Sequence, residues 1–207
     1  KVKTGTTTIT SNAIKADNAI KIGFVGQEEG SVVNAASVNS SININGVINN
    51  AQGSTQLNSG KGSIAQGANG FINTNTLTLA AAKDIGSAEQ SVLFNAKTLK
   101  AAGGGSAYLQ SNGMATLQIS NLTARDKLSL QAQGNILAGS GTNASASTIE
   151  LSSAYGKIGS GDAHLRLAVG EGGLSADAYG DIYIDNKTNN LHLDHVVSTQ
   201  GNVYLST

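Results

Sequence analysis

Cysteine, proline and tryptophan are all missing from this chain of 207 residues. Only 13% of its residues are charged, with 13 basic side chains balancing 13 acidic ones. Without cysteine there is no disulfide framework, no thiolate metal site and no cysteine nucleophile. A cysteine-free chain suits a reducing cytosol, and equally an exported chain that must stay unfolded in transit. The balanced charge removes the basic footprint of a nucleic-acid binder, and no block of like charge replaces it. No run of about 18 apolar residues is present, which excludes a membrane-spanning helix. Lys1-Val-Lys-Thr4 leads into no apolar signal-peptide core. The lack of proline fits a chain made almost wholly of paired strand, because proline cannot donate to a ladder and is confined to edges and bulges.

Glycine, serine, asparagine and threonine make up roughly two fifths of the sequence. Aliphatic residues are nevertheless spread evenly through it, unlike a disordered tract, whose apolar residues are too few to offset chain entropy. They recur in a phrase: an apolar alternation, a polar or glycine step, a bulky aliphatic, then a small turn. It reads Leu77-Thr-Leu-Ala-Ala-Ala-Lys-Asp-Ile-Gly-Ser87, Leu128-Ser-Leu-Gln-Ala-Gln-Gly-Asn-Ile136 and Ile149-Glu-Leu-Ser-Ser-Ala-Tyr-Gly-Lys-Ile-Gly-Ser160. It returns as Leu174-Ser-Ala-Asp-Ala-Tyr-Gly-Asp-Ile182 and Val197-Ser-Thr-Gln-Gly-Asn-Val203.

Aligning the recurring aliphatic gives Ile20, Ile42, Ile64, Ile85, Leu109, Ile136, Ile158, Ile182 and Val203, at intervals of 22, 22, 21, 24, 27, 22, 24 and 21 residues. A period in the low twenties marks a solenoid, in which one supersecondary unit stacks on its copies. Period-two alternations such as Ile42-Asn-Ile44, Leu117-Gln-Ile119, Leu165-Arg-Leu167 and Leu191-His-Leu193 make the unit a short strand. Clusters such as Gly103-Gly-Gly-Ser106 supply the turns. No segment reads as an amphipathic helix. The expectation is an all-β, right-handed parallel β-helix of about nine coils, forming one repeat segment over residues 1–207. At a strand spacing of ~4.8 Å it would be a rod of roughly 40 Å.

Stacking carries further expectations. The residue before each anchor should face solvent, in the column Ala19, Ser41, Ser63, Asp84, Tyr108, Asn135, Lys157, Asp181, Asn202. Lys157 should sit beside Asp181, Tyr183 against Tyr204, and Tyr155 against Tyr179, each pair contributing about 0.2–1 kcal/mol.

The phrases Lys83-Asp-Ile-Gly-Ser-Ala88 and Gly156-Lys-Ile-Gly-Ser160, each after an aliphatic alternation, resemble the repeats of filamentous-haemagglutinin-type exoproteins. These are large bacterial adhesins, leukotoxin-type filamentous adhesins among them, exported by two-partner secretion or as autotransporter passengers. Leu174–Thr207, with Gly180-Asp-Ile-Tyr-Ile184 and Gly201-Asn-Val-Tyr-Leu205, is similar to them as well. The resemblance rests on motifs over roughly residues 75–207 and on spacing alone over 1–74. It implies a right-handed β-helical shaft at the cell surface or secreted from it, acting in adhesion or as a spacer. The implied partners are glycans or proteins of a host or neighbouring cell. The family's amino-terminal secretion module and a carboxy-terminal β-barrel are not in this stretch, as expected of a segment from within a long shaft. Strand edges at its ends would be templates for end-to-end self-association. Neither nucleic-acid binding nor membrane insertion is expected of the segment.

Candidate chemistry is sparse, and the expectation is a non-enzymatic segment with no catalytic, cofactor-binding or metal residue. His192-Leu-Asp-His195 is the one histidine cluster. On a strand, His192 and Asp194 share a face while His195 begins a turn or points away. A zinc site needs three or four convergent ligands, and His164 lies more than a coil earlier. The carboxylates Asp162, Asp177, Asp181, Asp185 and Asp194, with Arg166 near them, are what a polysaccharide lyase or hydrolase on this fold would use. Asp181 and Asp185 are the pair that could share a face. Against this, aspartates beside glycine and asparagine are ordinary turn formers, and five scattered tyrosines make no sugar platform. Gly159-Ser-Gly-Asp162 resembles a calcium-binding repeat but occurs once. Asn39, Asn121, Asn143 and Asn186 each open an Asn-x-Ser/Thr acceptor pattern, which chance supplies in such a composition.

Overall fold

The computed structural model describes residues 6–11, 20–21, 24–26 and 31–207; Ala19 and the first five residues, which enter the expectations above, lie outside them. Every described regular element is a strand, and every strand pairing is parallel. The chain is a β-solenoid, as the alternations predict.

One column follows the winding from end to end. Ile9, Ala35, Leu57, Leu79, Ala101, Leu122, Ala144, Leu167 and Asn186 are in register on successive strands. Nine rungs are separated by eight turns, so the winding makes about eight turns where about nine coils were expected; the nine anchors, like the nine rungs, enclose eight intervals. A second column runs Ile20, Ile42, Ile64, Ile85, Ala107, Leu128, Ile149, Leu174, Leu193. The anchors Ile136, Ile158, Ile182 and Val203 form a third column that starts at Leu117, on another side of the solenoid. The phrase changes sides between Ile85 and Ile136, so the anchor list joins two different columns, and the long step from Leu109 to Ile136 is more than one turn. Leu109 is not equivalent to its neighbours in the list; it lies over Val92 and under Leu130.

The change of side has a local cause. In the first half, the coil has one broad side, such as the in-register run Ser54–Ser59 over Thr76–Ala81, and two narrow ones. The corner between the narrow sides grows from Asn45-Gly46 to 67–70 and then to 86–91. It then shuts. Ala107 and Leu109 stack on Ile85 and Val92, and only Tyr108 separates them. Two narrow sides have become one broad one, Ala107–Ser111, which continues as Lys127–Ala132.

At the same level the old broad side splits. Leu99 pairs Ile119 and Ala101 pairs Leu122, so Lys100 faces both Ser120 and Asn121, and Asn121 adopts a positive φ of 57°. This bulge widens to 139–143 and then 159–164, and is shut in turn by Tyr183 between Ile182 and Ile184. Thr76-Leu-Thr-Leu-Ala-Ala81 thereby corresponds to Thr148-Ile-Glu-Leu-Ser-Ser153, and Gly105-Ser-Ala-Tyr-Leu-Gln-Ser111 to Gly180-Asp-Ile-Tyr-Ile-Asp-Asn186. The longer repeat comprises three turns and one further side.

The Ile-Gly-Ser corner explains the phrase. Ile85 and Ile158 are fully buried, while Gly86 and Gly159 have φ of 69° and 73°. The following serines close matched turns. Ser87 N–H donates to Gln90 O and Gln90 N–H returns to Ser87 O, at 2.9 and 3.2 Å; Ser160 and Ala163 repeat this at 3.0 and 3.1 Å. Inside, aliphatic columns with alanine and serine at the corners form one continuous core. Each fully buried Ile or Leu contributes about 1.5–3 kcal/mol.

Candidate functional site

The outer surface is built by ladders, and the column before the anchors is the clearest. Ser41 Oγ accepts the N–H of Ser63 at 3.1 Å, Ser63 Oγ that of Asp84 at 3.3 Å, and Asp84 Oδ1 that of Ser106 at 2.8 Å. On the other side, Asn135 Oδ1 accepts Lys157 N–H at 3.0 Å and Asp181 Oδ1 accepts Asn202 N–H at 2.7 Å. These side chains bond the main chain of the next coil. The described members of the column face outward as expected, Asp84 and Asn202 exposed and the rest half-buried. Lys157 does lie beside Asp181 in register, but the carboxylate is committed to Asn202.

The stack of Tyr183 on Tyr204 forms as expected, with ring centroids 4.6 Å apart and planes 7° from parallel. Tyr155 and Tyr179 do not stack. Ser153 pairs Ala178, and Ser153 is five residues before Ile158 whereas Ala178 is four before Ile182, so counting back from the anchors misplaces the ring by one residue.

The candidate carboxylates are dispersed. Asp162 sits at the tip of the Ser160–Ala163 turn. Asp185 pairs with Lys187, which holds its carboxyl below the usual range mainly through their hydrogen bond. Arg166 is in register with Asp185. Asp194 is the extra residue of a bulge between Leu193 and His195, and its carboxylate lies against Gly173, whose φ is 87°. His164 packs on Tyr183 at 5.4 Å. Among the described residues no three His, Asp or Glu side chains converge as a metal site.

The acceptor patterns divide by burial. Asn143 is 0% and Asn186 1% exposed, and both side chains serve the backbone. Asn143 Nδ2 donates to Ile119 O and Gly139 O, at 3.3 and 3.1 Å, while its Oδ1 accepts Arg166 N–H at 2.8 Å. Asn186 Nδ2 donates to Thr188. Asn121 is exposed and Asn39 half-buried.

What the sequence did not single out is a shallow groove of about 380 Å³ on the outer face of the second broad side. Its walls include Ser129, Gln131, Glu150, Ser152, Ser175, Asp177 and His195. They come from four successive coils, in the outward columns Ser129–Glu150–Ser175–His195 and Gln131–Ser152–Asp177–Val197. Lys127 Nζ contacts Glu150 Oε1 at 2.6 Å, and His195 Nε2 lies 3.0 Å from Asp177 Oδ1. The exposed rings of Tyr155 and Tyr179 stand on the corner beyond Ser153 and Ala178. Apart from the buried Ser129, the groove offers solvent-accessible hydroxyls, an amide, two carboxylates and an imidazole beside aromatic surface. Such a set has the donors and acceptors to hydrogen-bond a polar ligand. His192 belongs to a second groove of about 480 Å³, with Val169, Glu171, Thr188, Asn189 and Asn190.

Fold and surface together define a parallel β-solenoid with ladder-bonded outer faces. No protein-family model, curated protein or solved structure matches the chain.

Proposed function

We propose that this chain is a non-enzymatic shaft segment of a secreted or surface-exposed bacterial filamentous adhesin of the filamentous-haemagglutinin type. The observation that carries the reading is the continuous column of nine rungs over one continuous core. In such an array each coil is stabilised by its neighbours, stability grows coil by coil, and folding propagates along the axis. Side-chain caps such as Asp84 and Asp181 are spent on the next coil's backbone, as a load-carrying rod requires. Electron microscopy of the native material tests this: thin rods far longer than about 40 Å support a shaft, and short separate particles sink it.

A second reading is favoured by the groove at Glu150, Asp177 and His195: the segment itself recognises glycans or matrix proteins. Saturable binding by the isolated chain, lost in Asp177→Ala, supports that reading. Turnover of a polysaccharide that is lost in Asp181→Ala would replace both readings with an enzyme.

A further inference from the structure

Tyr183 and Tyr204 hold the same place on successive strands, Ile182–Asn186 and Val203–Ser206, so the main-chain ladder itself keeps their rings together. The rings are parallel within 7°, with centroids 4.6 Å apart. His164 lies against Tyr183 with ring centroids 5.4 Å apart and planes tilted by 39°, and Tyr204 is 45% exposed. Among the described residues no other tyrosine has a tyrosine ring partner. Tyr108 is in register with Ser129, while Tyr155 and Tyr179 project into solvent at 66% and 49% exposure.

In a phenoxyl radical the unpaired spin occupies p orbitals perpendicular to the ring, on the oxygen and on the ortho and para carbons. Two such radicals therefore combine through their faces, and a parallel stack one coil apart is the geometry from which the ortho carbons join. We propose that Tyr183 and Tyr204 are a site of oxidative modification, where a dityrosine bond staples adjacent coils of the solenoid. The oxidant is hydrogen peroxide acting through a haem peroxidase. It removes one hydrogen atom from each phenol O–H and is itself reduced to two waters. The two radicals join by one ortho carbon–carbon bond. The hydrogens on the joined carbons then move to the two oxygens, which restores both phenols. The bond closes the coil between residues 183 and 204 into a covalent ring, so that the strand Val203–Ser206 cannot peel away from Ile182–Asn186. This inference rests on the ring geometry alone and is independent of the shaft reading.

The test is to treat the dilute folded chain with hydrogen peroxide and a haem peroxidase, then digest it with trypsin. Cleavage after Arg166 and Lys187 places Tyr183 in Leu167–Lys187 and Tyr204 in Thr188–Thr207. The expected product is these two peptides joined and lighter by two hydrogens, with dityrosine fluorescence in the monomeric fraction and fragmentation mapping the bond to Tyr183 rather than Tyr179. Tyr204→Phe keeps the stacked ring and, once its circular dichroism matches the parent, should reduce the product to background. Tyr155→Phe should leave the yield unchanged. Cross-links chiefly between chains, a bond through Tyr155 or Tyr179, a product that survives Tyr204→Phe, or consumption of the tyrosines with no dityrosine would each overturn the proposal.

Discussion

Asn121 is the extra residue that faces Lys100 across the ladder, and this one-residue surplus starts the transfer of the broad side from one part of the solenoid to the next. Its φ of 57° lies in the left-handed region, which asparagine tolerates and β-branched residues do not. Asn121→Gly should be neutral or slightly stabilising. Asn121→Ala should cost about 1 kcal/mol and Asn121→Val more, read as a shift in urea midpoint. Equal stability of all three variants would mean that the bulge relaxes without strain.

Asn143 ties three coils together from a fully buried position. Replacing it with alanine takes this partner from Gly139 O and Arg166 N–H, while Ile119 O keeps the N–H of Gly139. The expected loss is about 1–3 kcal/mol, the cost of leaving a polar group of this kind unpaired. Hydrogen exchange should rise first at Arg166. Asn58→Ser, at an exposed strand position, is the control for a surface asparagine.

Gly159 and Gly141 both have positive φ, at 73° and 80°, but different surroundings. A Cβ on Gly159 would come within 2.2 Å of Tyr183 O, whereas one on Gly141 would meet nothing within 4 Å. Gly141→Ala should cost only the conformational term of about 1 kcal/mol. Gly159→Ala adds a backbone clash to that term and should displace Tyr183 from its hydrogen bond to Ile158 O. Thermal melts of the two variants separate the effects; similar melting temperatures would show that the corner gives way freely.

Asp185 is held below the ordinary aspartate range, first by its hydrogen bond with Lys187 and then by that lysine's charge, with burial opposing. A depressed carboxylate stabilises the fold above its unfolded pKa and loses that contribution as pH falls through the folded value. The pairing therefore contributes fully at neutral pH and fades below about pH 4. Asp185→Asn should flatten that acid limb of the stability curve. An unchanged acid limb in the variant would mean that other carboxylates set it.

The coil repeat was legible because an inward residue must be apolar at every second position of each short strand, and Leu77-Thr-Leu79 or Ile149-Glu-Leu151 display that directly. The Tyr183–Tyr204 stack was legible for the same reason: both residues follow an anchor of the same column, at a strand spacing that cannot vary. Tyr155 and Tyr179 failed because they lie in a corner, where one additional residue shifts the register. The groove at Glu150, Asp177 and His195 left no local mark. Its members are separated by whole coils and converge only once those coils have been aligned.

Composition and alternation fixed the parallel solenoid, the apolar columns and the Ile-Gly-Ser corners, because each depends on forces acting within a few residues. Which side of the solenoid each phrase occupies was decided only by the folded chain. The phrase encodes a broad strand followed by a corner, and that local shape is the same on every side. Its position around the axis depends on the accumulated lengths of all preceding corners, from Asn45-Gly46 to the closures at Tyr108 and Tyr183. The outward groove and the aromatic stack inherit their neighbours from that winding.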